Sequence, residues 1–73
     1  MSKRMYDYEM LARWLVNYRI NKGWTQSELA ERIGVSREIV HAFEHNRTKN
    51  GEVFLYIEQI LCDAIEGFII KGV

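Results

Sequence analysis

Between Tyr6 and Asn21 the chain carries neither Gly nor Pro, and Tyr8, Leu11, Leu15 and Tyr18 recur at spacings of three and four. That rhythm predicts one amphipathic helix, with Trp14, Val16 and Ile20 widening its apolar stripe beyond what a single core requires. Gly23 supplies the left-handed residue that commonly closes a helix. Thr25-Gln26-Ser27-Glu28 then fits a capping box, in which a threonine hydroxyl and a glutamate carboxylate satisfy each other's backbone amides. A second helix is predicted over Gln26 to Ile33, burying Leu29, Ala30 and Ile33 and stopping at Gly34. Ser36 is the next cap and opens a third helix from Arg37 to about His45, with Val40 and Phe43 inward. Two short helices joined by the tight Gly34-Val35-Ser36 turn form a helix-turn-helix.

The polar run from Asn46 to Gly51 reads as a loop, with Asn50-Gly51 as a turn. Val53, Phe54, Ile57 and Leu61 mark a fourth helix. Asp63-Ala64-Ile65-Glu66 fits a second capping box that opens a short fifth helix, with one continuous helix as the alternative. The chain shows no internal repeat and no low-complexity segment.

Composition narrows this to a single all-α domain. Seventy-three residues make one domain at most, 48% of them apolar, with no Pro and little strand-like alternation. The lone Cys62 asks for no oxidising compartment and, lying among apolar residues, is expected in the core. No apolar stretch follows the basic N-terminus as a signal peptide would require, and no run is long enough to span a membrane. The glycosylation pattern Asn46-Arg47-Thr48 is then accidental, and a cytoplasmic protein is expected.

The formal net charge is zero, which sits poorly with a polyanionic partner, but the charge is not evenly spread. Residues 1–12 balance, residues 13–49 carry +3, and residues 50–73 carry −3. Since fields are screened beyond roughly 8 Å at physiological salt, a partner meets the nearby patch rather than the sum. His41-Ala42-Phe43-Glu44-His45 raises a different chemistry, because H-x-x-E-H is a zinc-binding signature of one metallopeptidase group. Such a site also needs a third protein ligand, an open coordination position and a substrate cleft, and the remaining carboxylates are not obviously placed for this.

The stretch TQSELAERIGVSREIVHAFEHNRTK resembles the phage repressor/Cro family of helix-turn-helix DNA-binding proteins, the Cro/cI-type or XRE-like domain. The likeness covers roughly residues 10 to 66. It rests on Arg19 before Gly23, Thr25-Gln26, Glu28-Leu29-Ala30, Gly34-Val35-Ser36, Val40 and Glu44 at the family's spacing. It implies a four- to five-helix lambda-repressor-like fold, with residues 1–73 as one domain and the helix-turn-helix at about 25–45. It further implies that Glu44 turns inward to pair with Arg19, which removes Glu44 as a base over any metal. Neither a metal, a cofactor nor an enzymatic activity is expected.

With Val40 and Phe43 facing the core, Arg37, Glu38, His41 and Ala42 are left toward a major groove, with Ile39 at the margin. Arg37 suits the O6 and N7 of guanine, Glu38 the N4 amine of cytosine, and Ala42 a thymine methyl. Gln26 at the start of the second helix is the family's phosphate contact, where backbone amides also favour an anion. Thr25 beside it, Arg19, and beyond the third helix His45, Arg47 and Lys49 complete the expected phosphate set. Two departures stand out. Asn46 replaces a common Gly, and Asn50-Gly51-Glu52 replaces a Pro or basic stretch, bringing a carboxylate that repels phosphate. Specific binding usually joins two half-sites about 34 Å apart. A homodimer is therefore expected, through the C-terminal segment 52–73 and above all Phe68, Ile69 and Ile70, which are otherwise exposed. The alternative is a tail folded back over the first helix. Double-stranded DNA is the expected partner, and a regulatory protein partner defines the competing reading of an antitoxin or anti-repressor module.

Overall fold

The computed structural model describes residues 5–70. Lys3 and Arg4, counted in the charge pattern, and residues 71–73 at the end of the expected dimerisation segment lie outside the described residues. Four α-helices follow one another: α1 (Tyr8–Lys22), α2 (Gln26–Ile33), α3 (Arg37–Glu44) and α4 (Gly51–Leu61). A 3-10 helix over Cys62–Phe68 follows α4. The fold is all-α, with no strand among the described residues.

Each α-helix starts where a side chain accepts from an amide that the helix itself leaves unpaired. Asp7 caps α1 by accepting from the Met10 amide, and Ser36 caps α3 by accepting from Ile39. At α2 both halves of the capping box are present, with Glu28 N donating to Thr25 Oγ1 at 3.1 Å and Thr25 N donating to Glu28 Oε1 at 2.8 Å. Gly23 and Gly34 end α1 and α2 at φ 73° and 93°, a region that costs other L-residues about 1–2 kcal/mol.

The core joins Leu11, Ala12 and Leu15 of α1 to Leu29, Ala30, Val40 and Phe43 of the helix pair, and to Val53, Ile57 and Ile65 beyond. Ala12 is an addition to the predicted stripe, and Ile33, expected inside, is only half-buried. Tyr8 and Tyr18 flank the stripe half-buried rather than closing it.

Three expectations for the second half of the chain are corrected. Asn50 is the cap of α4, accepting from the Val53 amide at 3.0 Å, so Gly51 is the first helical residue and not part of a turn. Asp63 caps nothing: the 3-10 helix begins after Leu61 with no side-chain cap bond, and the second capping box does not form. Cys62 is exposed, because α4 ends there with a backbone at φ 50°, and its thiol donates to Gln59 O at 3.3 Å.

The tail folds back along the N-terminal segment. Tyr6 faces Ile69 across an antiparallel bridge, with Asp7 N donating to Phe68 O at 2.6 Å and Ile70 N donating to Met5 O at 2.7 Å. Phe68 packs half-buried against the core, and Ile69 is half-buried, while Ile70 stays exposed. Of the three residues expected at a dimer contact, the domain itself therefore covers two in part.

Candidate nucleic-acid interface

Eight residues of α3 divide sharply into two sides. Val40 and Phe43 are buried, and their anchoring leaves Arg37, Glu38 and His41 exposed on the other side. Ile39 and Ala42 lie between, both half-buried, so Ala42 offers less of its methyl than a fully outward position would. The Gly34 turn sets this face relative to α2, with Val35 N donating back to Ala30 O at 3.1 Å at the corner.

Behind the outward face lies a charged pair. Arg19 Nε donates to Glu44 Oε2 at 2.7 Å and Arg19 Nη2 donates to Glu44 Oε1 at 3.2 Å. The fork is bidentate, a geometry that adds direction to charge attraction. Its side chains are 17% and 4% exposed respectively, so the pair ties α1 to α3 in a largely dry setting. Arg19 Nη1 donates to Trp24 O at 3.0 Å, which commits a third guanidinium nitrogen inside the protein. Sequence reasoning misses Trp24 as a partner here, because a backbone acceptor leaves no signature in residue type. Its ring also carries the Arg32 guanidinium, 3.9 Å from the centroid.

Glu44 holds a further partner. Gln26 Nε2 donates to Glu44 Oε1 at 3.0 Å, and Gln26 Oε1 faces Arg37 Nη1 at 3.5 Å. Arg37 Nη2 lies 3.6 Å from Glu38 Oε2, so the two charged residues at the start of α3 partly neutralise each other. Arg19, Gln26, Arg37 and Glu44 are thus gathered into one network, running from the inside of the domain to its surface.

The other candidate residues sit apart from that network. Thr25 commits its hydroxyl oxygen and its amide to the capping box. His41 and His45 lie one turn apart with ring centroids 4.2 Å from each other, and His45 Nδ1 is 2.9 Å from His41 O. Since Glu44 points away into the Arg19 fork, the H-x-x-E-H pattern does not converge on one point. No cluster of three or more metal-binding side chains occurs among the described residues. Arg47 is exposed after Asn46, which takes the left-handed conformation at φ 57° that the replaced glycine would favour. Lys49 is exposed with its Nζ 5.4 Å from the Tyr8 ring centroid.

A capped helix pair meeting at a glycine corner, with the second helix anchored from behind and polar in front, defines a domain of the helix-turn-helix class. The chain matches the helix-turn-helix family over residues 15–61. It is 33% identical to Antitoxin HipB of Escherichia coli O6:H1 strain CFT073 over 69 residues, covering 85% of this chain and 73% of that protein. It is 39% identical to Antitoxin HipB of Escherichia coli K12 over 44 residues, covering 60% of this chain and 50% of that protein. No solved structure matches significantly. The chain belongs to the XRE-like helix-turn-helix DNA-binding family. No helix among the described residues is long and apolar enough to cross a membrane.

Proposed function

We propose that this protein is a small, sequence-specific transcriptional regulator, a repressor of prokaryotic or phage type that binds a palindromic operator as a homodimer. The observation that carries the reading is the outward presentation of Arg37, Glu38 and His41 on a helix whose opposite side is locked by Val40, Phe43 and Glu44. In this reading Arg37, Glu38, His41 and Ala42 meet base edges. Gln26, Thr25, His45, Arg47 and Lys49 lie along the phosphates, and Arg19 serves chiefly to hold Glu44. The protein works in the cytoplasm without cofactor or catalysis. Dimerisation uses the C-terminal segment around Ile70, the member of the apolar tail trio that remains 41% exposed.

The experiment is selection of duplexes from a random pool at stated salt, since affinity for phosphates falls steeply with ionic strength. A palindromic enriched site supports regulator and dimer together; binding with no sequence preference rejects the regulator.

A second reading is favoured by the relatives, both of which are named antitoxins. An antitoxin meets a toxin protein, and contacts outside α3 would serve that role. Reversing the charges of Arg37 and Arg47 separates the two: DNA binding collapses, whereas protection of cells from a cognate toxin survives.

A further inference from the structure

With Glu44 turned inward, the two histidines of the H-x-x-E-H stretch stay exposed at the outward side of α3. Residues four apart on a helix stand one above the other on one face. His45 keeps that register although it caps the helix, because its amide donates to His41 O at 3.1 Å. The same carbonyl lies 2.9 Å from His45 Nδ1. A carbonyl oxygen only accepts, so Nδ1 carries the proton, and the lone pair of the neutral ring is left on Nε2. A backbone carbonyl on the far nitrogen is the outer contact that metal-bound histidines commonly have, since it fixes tautomer and ring direction together. The spacing of the rings also suits one shared ion. With metal–nitrogen bonds of about 2.0–2.1 Å, two imidazoles on neighbouring positions of one ion place their centroids about 4.5–5 Å apart. Here the centroids are 4.2 Å apart with the planes tilted by 38°, a difference that a small splaying of exposed side chains removes.

We propose that His41 and His45 form a two-imidazole site for a late first-row divalent ion, Ni²⁺, Cu²⁺ or Zn²⁺, whose binding weakens the sequence preference of α3. Imidazole nitrogens select these ions over Mg²⁺ and Ca²⁺, which prefer oxygen. Among the described residues no third metal-binding side chain joins the pair, so water fills the remaining positions. The ion meets less repulsion than the nearby arginines suggest. Glu38 Oε2, one turn ahead of His41, lies 3.6 Å from Arg37 Nη2 and offsets its charge. A coordinated His41 nitrogen no longer exchanges a hydrogen bond with a base, while the added positive charge favours phosphates of any sequence. The site is a modulator: folding and DNA binding proceed without the ion. Its effect on DNA rests on the regulator reading above, whereas ion binding itself does not.

The test titrates the untagged chain with Ni²⁺ alone, by calorimetry, in wild type, His41→Gln and His45→Gln. Both side chains are exposed, so the variants keep the fold. Either substitution is expected to weaken Ni²⁺ binding by about tenfold or more, the scale on which even outer contacts count. Cys62→Ser should bind like wild type, its exposed thiol being the competing donor. Equal Ni²⁺ affinity in wild type and both histidine variants, or a matching loss with Cys62→Ser, overturns the site. Affinities for a selected and a scrambled duplex are then compared in Ni²⁺ and in the same concentration of Mg²⁺, which controls for screening of phosphates. Ni²⁺ is expected to narrow their ratio by about tenfold in wild type, roughly the value of one base contact, and to leave it unchanged in His45→Gln. An unchanged ratio in wild type overturns the effect on DNA. A wild type with no preference to begin with sinks the regulator reading instead, and the Ni²⁺ titration still decides the site.

Discussion

Arg19 and Glu44 lie 25 residues apart in sequence and 2.7 Å apart in space, joining the last turn of α1 to the last residue of α3. Removing one member leaves the other charged and poorly hydrated, and breaking a buried pair this way costs about 3–5 kcal/mol. Glu44→Ala is therefore expected to destabilise the domain by that order, read as a lower midpoint in urea. The double variant Arg19→Met, Glu44→Leu should recover most of the loss. A single variant within about 1 kcal/mol of wild type would show that water reaches the pair freely.

The glycine at the helix-turn-helix corner and the one that opens α4 should respond oppositely to alanine. Neither would meet any atom within 4 Å through an added Cβ, so only backbone conformation matters. Gly34 sits at φ 93°, and Gly34→Ala is expected to cost about 1–2 kcal/mol. Gly51 is helical with no such φ, and Gly51→Ala should gain about 0.4–1 kcal/mol by restricting the unfolded chain. Thermal melts of the two variants on either side of wild type would bear this out; melts shifted in the same direction would refute it.

Tyr56 adds a pH dependence in the alkaline range. Burial, the hydrogen bond with Tyr18 and the charge of Tyr18 push its hydroxyl up to about 12 from an ordinary 10.0, against an opposing pull from Arg32. The folded state keeps this proton after the unfolded state has released it. Stability is thus retained below about 10 and falls as pH rises toward about 12. Tyr56→Phe should flatten that fall, seen in denaturation curves recorded across the interval; an unchanged slope would exclude Tyr56 as its source.

Arg37 and Arg47 should differ in kind on DNA. Arg37→Ala is expected to lose about 1–3 kcal/mol on the preferred duplex and to relax one base position. Arg47→Ala should weaken all sequences alike and lower the slope of log affinity against log salt by about 1. Matching salt slopes and matching selected sites for the two variants would contradict this division.

What the residues announce on their own is local chemistry. The caps at Thr25 and Ser36 and the stops at Gly23 and Gly34 depend on residues three or four apart, and α2 starts and ends where they place it. Asn50 is harder to read, because the same short amide side chain serves either a turn or a helix cap, and only the fold of the next residues decides between them. A cap residue stands just before the helix in a non-helical conformation, whereas Asp63 lies inside the 3-10 helix Cys62–Phe68 and so begins nothing new. Cys62 escapes the apolar pattern for a related reason: the change of backbone direction at its own φ carries it out of the stripe. The inward turn of Glu44 is legible only through family resemblance, since apolar periodicity cannot pick one carboxylate from four in the basic segment. The Gln26 contacts depend on how α2 and α3 meet, and apolar periodicity along the chain does not announce them.

The bridge between Tyr6 and Ile69 has a topological effect. Because Met5 and Ile70 are joined by a hydrogen bond, the described chain is nearly a closed ring. A short peptide linker could seal that ring while a new opening is cut in the polar connection between α3 and α4. Such a rewired chain would keep every described helix in its place, because the Tyr6–Ile69 bridge already holds its two joined segments side by side.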